Sequence, residues 1–361
     1  MIGILGGGQL ARMLALAGLP LGEHFAALDP SEDAGVRSLA HLIVGSYEDP
    51  AALEWLSEHC DVVTHEFERV PASSARRIAE RTPVHPNPDV LEVAQDRVTE
   101  KELFTRLGLA TPPFIAVWTR EQLDAAVDEL GFPAVIKSRR EGYDGKGQFV
   151  VGARTELDAC WKELGGKDLI AEAMVDFDRE LSMLAARSAT GETVFYPIVE
   201  NVHRAGILRL SRAPAPALAP DLQSAAESHA QSVMKELDYV GVLAIELFQV
   251  GDQLLGNEMA PRVHNSGHWT IEGAVTSQFA NHLRAITGRP LGSTQALGHA
   301  AMVNLIGTLP DLNEVLRIEG VHLHLYDKQP RAGRKLGHVT LVGDDLEELE
   351  ERLGRLTALV D

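Results

Sequence analysis

The sequence predicts a mixed α/β and α+β chain whose first part is a parallel, Rossmann-like α/β domain. Strand and helix patterns alternate over residues 1–86, which is typical of a parallel sheet covered by helices. The length of 361 residues exceeds one ordinary hydrophobic core, so two or three domains are expected. A rigid His-Pro-Asn-Pro turn at residues 85–88 marks the first boundary. We therefore predict domains over residues 1–86, 87–298 and 299–361.

The composition and net charge of the chain indicate which kinds of partner and compartment to expect. Charged residues make up 24% and apolar residues 45% of the chain, as in ordinary globular proteins. The formal net charge of −19, with no basic arm to offset it, argues against a nucleic-acid partner. The sequence has no apolar run of about 18 residues and no leader-like start, so we expect neither a membrane partner nor secretion. Cys60 and Cys160 lack a CxxC companion, which favours free thiols in a reducing, cytoplasmic compartment.

The first strand and helix flank a glycine turn at residues 6–8. Gly6, Gly8 and Ala11 match the dinucleotide fingerprint in its G/A form, and the next strand ends at Asp29, where a ribose-binding acid would lie. An NAD site is therefore one interpretation. The fingerprint alone is weak, because any phosphate or none can lie over such a helix N-terminus.

A further strand over residues 61–64 leads into an acidic segment that contains Glu66 and Glu68. Both acids follow the carboxyl end of a parallel strand, which is the edge where such sheets bind ligands. We predict that they point into a ligand crevice. A solvated loop is the alternative.

A glycine-rich turn at residues 142–148 lies between apolar strand patterns at 133–136 and 149–151. Its three glycines allow a ligand to approach backbone N–H groups closely, and Lys137 and Lys146 add positive charge. The pattern predicts a flap that covers phosphate groups. It is not a Walker A loop, because G-x-x-x-x-G-K-[ST] is missing. A glycine-rich hairpin without a ligand is the alternative.

Two acids occupy neighbouring apolar strand patterns: Glu246 lies within residues 242–248 and Glu258 within residues 254–259. An ionised Glu in so apolar a strand is costly unless a cation lies opposite. A three-residue turn would place both acids on one face of the sheet, whereas a two-residue turn would separate them. With the amide of Asn257 they predict a hard oxygen site for Mg²⁺ carried by a nucleotide. A structural ion pair is the alternative.

Two later segments carry groups that suit anions. The loop at residues 261–270 contains His264 and His268, but no cysteine is near, so an anion or substrate loop is favoured over zinc. The hairpin at residues 328–338 concentrates positive charge in an acidic chain, which predicts a phosphate clamp. A solvated basic turn is the alternative. The cations or potential cations of the hairpin are Lys328, Arg331, Arg334, Lys335 and His338.

Five segments together resemble the ATP-grasp superfamily and, within it, the N5-carboxyaminoimidazole ribonucleotide synthases. They span nearly the whole chain, and the last three are typical of these synthases rather than of ATP-grasp proteins in general. Ala11 stands where glycine is usual and Arg69 where Asn or His is commoner, but neither change removes a group with an assigned role. The segments are residues 6–13, 64–71, 142–148, 258–270 and 326–338.

The resemblance implies a pre-ATP-grasp domain, an ATP-grasp domain of two α+β subdomains with the lid at about residues 113–175, and a small C-terminal domain. It implies ATP and Mg²⁺ as cofactors, aminoimidazole ribonucleotide and bicarbonate as small-molecule substrates, and a homodimer. The implied reaction carboxylates the exocyclic amine of the ribonucleotide through carboxyphosphate, giving ADP and phosphate, in purine biosynthesis.

The resemblance also implies roles for the matching residues. Cations would contact the ATP phosphates under the flap, and a hinge strand would read the adenine edge through its backbone. The residues implied for ATP are Arg97, Lys137, Gly142, Tyr143, Asp144, Gly145, Lys146, Gly147, Gln148, Glu172, Ala173, Met174, Val175, Glu180, His203, Asn257 and Glu258. Those implied for Mg²⁺ are Glu246 and Glu258. Those implied for aminoimidazole ribonucleotide are Glu66, Tyr143, Asp144 and Lys146, with Lys328, Arg334 and Lys335 at its phosphate.

The chemical step is implied to involve four residues: Asp144, Lys146, Arg262 and His264. Arg262 and His264 would stabilise the bicarbonate-derived anion, and Asp144 is the candidate for assisting proton removal from the amine. The nearest alternative is a sister ATP-grasp enzyme, such as a formate-dependent glycinamide ribonucleotide transformylase or a biotin carboxylase, without the basic hairpin. An NAD-dependent dehydrogenase would leave Glu246, Asn257 and Glu258 idle. A non-catalytic binding protein would be expected to have lost a metal acid or the flap lysines, and the sequence keeps all of them.

Overall fold

The N-terminal region of the computed structural model, which describes residues 1–140, 142 and 147–360, is a four-stranded parallel sheet with helices around it. The strand order is β3-β2-β1-β4, and every pairing is parallel, which confirms the predicted fold class. The strands are β1 (Ile2–Leu5), β2 (Phe25–Asp29), β3 (His41–Val44) and β4 (Val62–His65). The helices that accompany or follow them are α1 (Gln9–Gly18), α2 (Pro50–His59), α3 (Ala72–Ala79), α4 (Pro88–Ala94) and α5 (Arg97–Arg106).

The starts of these helices follow from their capping residues. Asp49 accepts hydrogen bonds from two backbone N–H groups at the start of α2, where Pro50 needs no partner. Asp96 caps α5 in the same way, through the N–H of Val98 at 3.1 Å. Gly108, with φ of +84°, follows α5 in the left-handed conformation that glycine adopts readily. The helices α3 and α4 were not predicted.

A second, antiparallel sheet forms the lid region, in the order β5-β8-β6-β7. One face of it packs on two helices around a compact core that includes Val117, Leu123 and Ile136. The strands β6 and β7 flank the predicted flap, and Lys137 pairs with Gln148 across them. The elements are β5 (Phe114–Val117), α6 (Arg120–Leu130), β6 (Ala134–Ser138), β7 (Gln148–Val151), α7 (Leu157–Leu164) and β8 (Leu169–Ala173).

The largest sheet has nine strands and runs β14-β13-β9-β11-β12-β15-β17-β16, with β10 paired to β9. Its middle strands contribute Met183, Leu243 and Ile245 to a core that α8 covers. The strands are β9 (Arg179–Arg187), β10 (Thr193–Phe195), β11 (Val199–Arg204), β12 (Ile207–Ala213), β13 (Gly241–Val250), β14 (Gln253–Ala260), β15 (His299–Ile306), β16 (Val321–Leu325) and β17 (Lys335–Gly343). The helices are α8 (Pro220–Glu236), α9 (Thr270–Gly273), α10 (Gln278–Ile286), α11 (Leu312–Leu316) and α12 (Leu346–Val360).

The last region of the chain shares this large sheet. Strand β12 pairs with β15, so Arg212 lies opposite Ala301 and the C-terminal strands extend the central sheet. Strand β12 is not among the elements that the sequence patterns predict. None of the helices in the described ranges is long and apolar enough to cross a bilayer.

Candidate active site

A cleft of about 1240 Å³ opens where the N-terminal sheet, the lid and the large sheet meet. Its walls contain most of the residues that the sequence singled out, including both strand acids and two cations of the basic hairpin. The predicted site residues that line it are Glu66, Arg97, Lys137, Gly142, Gly147, Gln148, Met174, Glu180, His203, Glu246, Asn257, Glu258, Arg262, His264, Lys328 and Lys335. Glu172, Ala173, Val175 and Arg334 are not among the lining residues in the described part of the chain. The predicted site residues Tyr143, Asp144, Gly145 and Lys146 lie outside the described residues.

The two strand acids lie directly opposite each other, because Glu246 of β13 pairs with Glu258 of β14. The turn between the strands is the two-residue form, since Val250 pairs with Gln253, and by itself it would have separated the acids. An irregularity next to Glu246 adds one residue to β14, so that Asn257 has no partner in the ladder and the acids return to register. Glu246 and Glu258 therefore lie on the same face of the sheet because of a β-bulge in β14, and not because of a three-residue turn.

Both acids have cationic or potentially cationic neighbours in the cleft. Arg97 donates to Glu258 at 2.6 Å, and His264 Nε2 lies 3.2 Å from Glu246 Oε1. Burial in the cleft would raise the pKa of Glu258, but the charge of Arg97 and its hydrogen bond outweigh burial and lower this pKa. The Glu258 carboxylate is thus held in the anionic form that a divalent cation requires.

The donor set at this point fits a hard divalent cation. The amide oxygen of Asn257 is buried and accepts no hydrogen bond within the described structure. It is adjacent in the chain to Glu258, whose side chain is still 41% exposed to the cleft. Two carboxylates and an unpartnered amide oxygen are the ligand types that Mg²⁺ prefers. Arg97 and His264 would have to give way to a bound ion.

The lid contributes a buried ion network beside these acids. Glu172 of β8 accepts from Lys137 at 3.0 Å, and Lys101 of α5 lies 3.4 Å from the same carboxylate oxygen. Burial would raise the pKa of Glu172, but Lys137 and Lys101 outweigh burial and lower it. The side chain of Glu172 therefore positions Lys137, rather than facing the cleft itself.

An aromatic pair forms the apolar end of the cleft. Phe177 and Phe248 stack with ring centroids 4.7 Å apart, and both line the cleft beside the 52% exposed Met174. Such a surface suits the faces of a heterocyclic base. Nothing in the sequence distinguishes these phenylalanines from core residues, because apolar residues in or near apolar strands are ordinarily buried.

Glu180 and His203 meet near the same wall. The Nδ1 atom of His203 lies 2.7 Å from Glu180 Oε2. Burial would lower the pKa of His203, but the hydrogen bond to Glu180 and the charge of Glu246 outweigh burial and raise it. The pairing holds the Glu180 carboxylate in a fixed orientation toward the cleft.

The glycine turn of the N-terminal domain is already bound by carboxylates of the chain. Glu66 accepts from the backbone N–H groups of Gly8 and Ala11, and Asp29 accepts from Gly7 at 2.8 Å. A Cβ atom on Gly6 (φ +112°) would lie 2.3 Å from Glu66 Cγ, so the close approach requires glycine. The position where a dinucleotide would place its pyrophosphate is therefore filled, and an NAD site is not supported.

The prediction that Glu66 points into a crevice holds only in part. It lines the cleft, but it is 8% exposed and its carboxylate binds the start of α1. Burial raises the pKa of Glu66, and the hydrogen bonds from Ala11 and Gly8 offset this only partly. Glu68 interacts with Arg262 at 2.7 Å, so this acid also faces the cleft.

The basic hairpin places two of its cations in the cleft. Lys328 hydrogen-bonds Gln9, and burial lowers the pKa of Lys328 to about 8, assisted by the neighbouring charges of Arg334 and Lys335. Arg334 itself donates to the carbonyl of Gln329 at 3.2 Å.

The interpretation of His338 as a potential cation of this hairpin is wrong. His338 is fully buried, stacks on His324 and lies 2.6 Å from the hydroxyl of Tyr326. Burial keeps the pKa of His338 well below its ordinary value. His338 lies in the buried part of β17, so burial sets its pKa and the basic composition of the turn does not.

Comparisons with known proteins agree with this geometry along the whole chain. Models of three domain families match in order: the ribonucleotide synthetase preATP-grasp domain at residues 1–95, the ATP-grasp domain at residues 102–279 and the phosphoribosylaminoimidazole carboxylase C-terminal domain at residues 300–352. The N5-carboxyaminoimidazole ribonucleotide synthase of Pseudomonas aeruginosa is 48% identical over 100% of this chain and 99% of its own. This chain belongs to the N5-carboxyaminoimidazole ribonucleotide synthase family.

Solved structures of the family have the same fold. The synthetase of Thermus thermophilus is 56% identical with a TM-score of 0.97, over 100% of this chain and 99% of that one. The synthase of Aspergillus clavatus in complex with ADP and 5-aminoimidazole ribonucleotide is 30% identical with a TM-score of 0.94, over 100% of this chain and 98% of that one. The predicted resemblance and the three-part ATP-grasp architecture are thereby confirmed.

Proposed function

We propose that this protein uses ATP and bicarbonate to carboxylate the exocyclic amine of 5-aminoimidazole ribonucleotide. The product is N5-carboxyaminoimidazole ribonucleotide, with ADP and phosphate as by-products, and the step belongs to purine biosynthesis. The protein is an ATP-grasp carbon–nitrogen ligase. The family relatives named above carry this activity in their names, and a relative has been solved with ADP and the ribonucleotide bound.

One observation carries the proposal: a single cleft joins the paired acids Glu246 and Glu258 to the hairpin cations Lys328 and Lys335. The acids suit a metal-bound triphosphate, and the cations suit a second, monophosphorylated ligand. A formate-dependent transformylase of the same superfamily is the second candidate, but the basic hairpin and the C-terminal family match favour the synthase.

We assign the nucleotide to the wall between the lid and the large sheet. Arg97 and Lys137 would face its phosphates under the flap, the backbone of Ala173 to Val175 would face the adenine edge, and Glu180 would face the ribose. Glu246, Glu258 and Asn257 would hold Mg²⁺, which would neutralise phosphate charge as bicarbonate attacks. Their unpartnered oxygen and opposed carboxylates support this assignment.

We assign the ribonucleotide to the opposite wall. Lys328 and Lys335 would bind its phosphate, with Arg334 as a further predicted contact, and Glu66 would lie near its amine. Arg262, which interacts with Glu68, and His264, which lies beside Glu246, also line the cleft and would hold a bicarbonate-derived anion. Tyr143, Asp144 and Lys146 of the flap stay predicted substrate contacts.

The reaction course follows from these positions. A bicarbonate oxygen attacks the γ-phosphorus of ATP, the bond to the β-phosphate oxygen breaks, and carboxyphosphate and ADP result. The amine nitrogen of the ribonucleotide then attacks the carboxyl carbon, or CO₂ released from carboxyphosphate, and phosphate leaves. The amine gives up a proton, for which Asp144 is the proposed acceptor. Water must be excluded from carboxyphosphate, and a closed glycine flap would provide this.

The remaining proposals concern organisation. We propose domain boundaries after residues 86 and 298, a homodimer and a cytoplasmic location. The second boundary lies just before the third family match begins at residue 300, whereas the first family match extends past residue 86 to residue 95. Sedimentation analysis of the purified chain tests the dimer, since a monomer at micromolar concentration would contradict it.

An assay of ADP release tests the function. With ATP and bicarbonate alone we expect slow hydrolysis, and addition of aminoimidazole ribonucleotide should accelerate it and form the carboxylated ribonucleotide. Replacing bicarbonate by formate and the ribonucleotide by glycinamide ribonucleotide should give no product. If ADP is released only with formate and glycinamide ribonucleotide, the result would favour the transformylase and contradict the synthase.

A further inference from the structure

One face of α5 contacts three consecutive residues on the outer side of β14. Strand β14 is the edge of the large sheet, so β13 covers only one of its sides. Arg97, Glu100 and Lys101 are spaced i, i+3 and i+4 in the helix and therefore lie on one face. The edge of the strand that bears Glu258 is thus covered by polar side chains instead of by another strand.

Each of these three side chains has its own target. Lys101 Nζ donates to the carbonyl of Asn257 at 3.1 Å, and the Glu100 carboxylate accepts from the N–H of Met259 at 2.6 Å. Arg97 binds the carboxylate of Glu258 between them. Lys101 therefore holds the bulged residue itself, at the position that returns Glu258 to register with Glu246.

Lys101 also reaches the lid. Its ammonium lies 3.4 Å from the Glu172 carboxylate oxygen to which Lys137 donates. Lys101 is 1% exposed, and burial lowers its pKa although Glu172 opposes this shift. A buried ion network is seldom more stable than apolar side chains of the same volume, so stability alone does not explain a lysine here.

We propose that Lys101 is a positioning residue for the nucleotide site. It fixes the bulge at Asn257, and with it the direction of the Glu258 carboxylate, and through Glu172 it orients the ammonium of Lys137. Lys101 does not line the cleft, so it acts through these residues without touching substrate. The inference rests on the proposed function, because it assigns Glu258 and Lys137 to a metal-bound nucleotide.

The test compares Lys101→Met with the wild-type chain and with Arg187→Met. Arg187 is a matched control, because its side chain is 14% exposed and donates to the carbonyl of Tyr239 at 2.6 Å, while it does not line the cleft. Titration calorimetry with ADP is carried out with and without Mn²⁺, and thermal unfolding is recorded for each variant. The binding stoichiometry gives the folded fraction, so the dissociation constant reports folded molecules only.

We expect Lys101→Met to weaken Mn²⁺–ADP binding ~10- to 100-fold, with a smaller effect on ADP alone. Arg187→Met should stay within about two-fold of the wild type in both titrations. A Lys101→Met variant that unfolds at lower temperature yet keeps the wild-type ratio of the two affinities would show a merely structural lysine and overturn the proposal.

Two further outcomes distinguish failure of the inference about Lys101 from failure of the proposed function. If the wild type binds Mn²⁺–ADP and hydrolyses ATP with bicarbonate while Lys101→Met matches it, the inference fails and the proposed function stands. If the wild type does neither, both fail. Should Lys101→Met not fold, the double variant Lys101→Met/Glu172→Gln also replaces the buried carboxylate, which would otherwise keep only Lys137 as its partner. A wild-type ratio of the two affinities in this variant would equally overturn the proposal.

Discussion

Two regions of this molecule use the same electrostatics with opposite results. In the N-terminal domain a glycine turn and a helix start form an anion-binding shape, and the anion is Glu66 of the chain itself. In the large sheet Glu246 and Glu258 form a cation-binding shape, and the side chains that fill it are His264 and Arg97 of the chain. Each site is filled from within, yet only the second is proposed to exchange its partner for a ligand.

Exposure explains the difference. Glu66 is 8% exposed and accepts from backbone N–H groups that cannot move away without unwinding α1. The Glu258 side chain is 41% exposed, and its partner Arg97 is a long side chain at the wall of a large cleft. A binding motif in sequence therefore indicates a shape, while the burial of its internal partner decides whether a ligand can compete.

The largest expected effect is loss of the exchangeable site. Glu258→Gln keeps the volume but removes the charge, so bicarbonate-dependent ATP hydrolysis should fall by at least ~10²-fold. Glu236→Gln is the control, since Glu236 is also paired with an arginine of α5 and its side chain is also 41% exposed. Steady-state ADP release measures both, and equal rates for the two variants would contradict a metal role for Glu258.

The next effect concerns the permanently filled site. Glu66→Ala leaves the N–H groups of Gly8 and Ala11 without an acceptor, so the free energy of unfolding should fall by about 1.5–3 kcal/mol. Glu54→Ala, which removes an exposed partner of Arg81 in the same domain, should change it by less than about 0.5 kcal/mol. Urea unfolding followed by circular dichroism distinguishes them, and a Glu66→Ala variant as stable as the control would break the comparison.

A pH effect should appear at the basic hairpin. The pKa of Lys328 is lowered to about 8, so its ammonium is present below that pH and is lost above it. The Michaelis constant for aminoimidazole ribonucleotide should therefore rise between pH 7.5 and 9, by up to about ten-fold. Arg stays charged throughout this range, so Lys328→Arg should flatten the profile. A wild-type profile that is flat, or one in which both proteins rise alike, would remove Lys328 from phosphate binding.

The lowered pKa of Lys328 should also make protein stability depend on pH. Stability should increase with pH, whereas substrate binding by Lys328 should weaken. Unfolded Lys328 takes up protons at a higher pH than the folded residue, since the folded pKa is below the ordinary value of 10.5. The contribution of Lys328 to the unfolding free energy should therefore increase as pH rises from about 8 to 10.5. Difference unfolding curves of the wild type and Lys328→Met measure this, and a decrease in that window would contradict burial as the cause.

The smallest effect is expected at Asp29. Asp29→Asn keeps an acceptor for the N–H of Gly7, so unfolding should change by no more than about 1 kcal/mol and ADP release should not change. NAD⁺ should not raise the unfolding temperature of either protein. Stabilisation of the wild type by NAD⁺, lost in Asp29→Asn, would restore the dinucleotide interpretation.

Local patterns were sufficient for much of the fold. Alternation of strands and helices predicted the parallel sheet of the N-terminal domain. The short helices α3 and α4 escaped because their apolar periodicity extends over only two turns. Strand β12 was missed because buried and exposed residues do not alternate regularly in it: Leu208, Ser211 and Ala213 are buried. Its Arg212 is paired with Glu350, 138 residues away in the chain.

The site could be predicted in composition but not in register. Glu246, Asn257 and Glu258 were selected from their residue types, yet their convergence depends on a bulge that α5 holds from the other side. Nothing near Lys101 in sequence indicates that it reaches β14 and the lid, because its partners are 156 and 71 residues distant in the chain. Long-range packing supplies what the sequence patterns could not.

A crystal structure with Mn²⁺ and a non-hydrolysable ATP analogue would show whether the two strand acids bind the metal of the nucleotide. We predict an anomalous peak within coordination distance of both Glu246 and Glu258, with Arg97 moved from Glu258 to the phosphates. A peak elsewhere, with Glu258 still bound to Arg97 and Glu246 still beside His264, would contradict it.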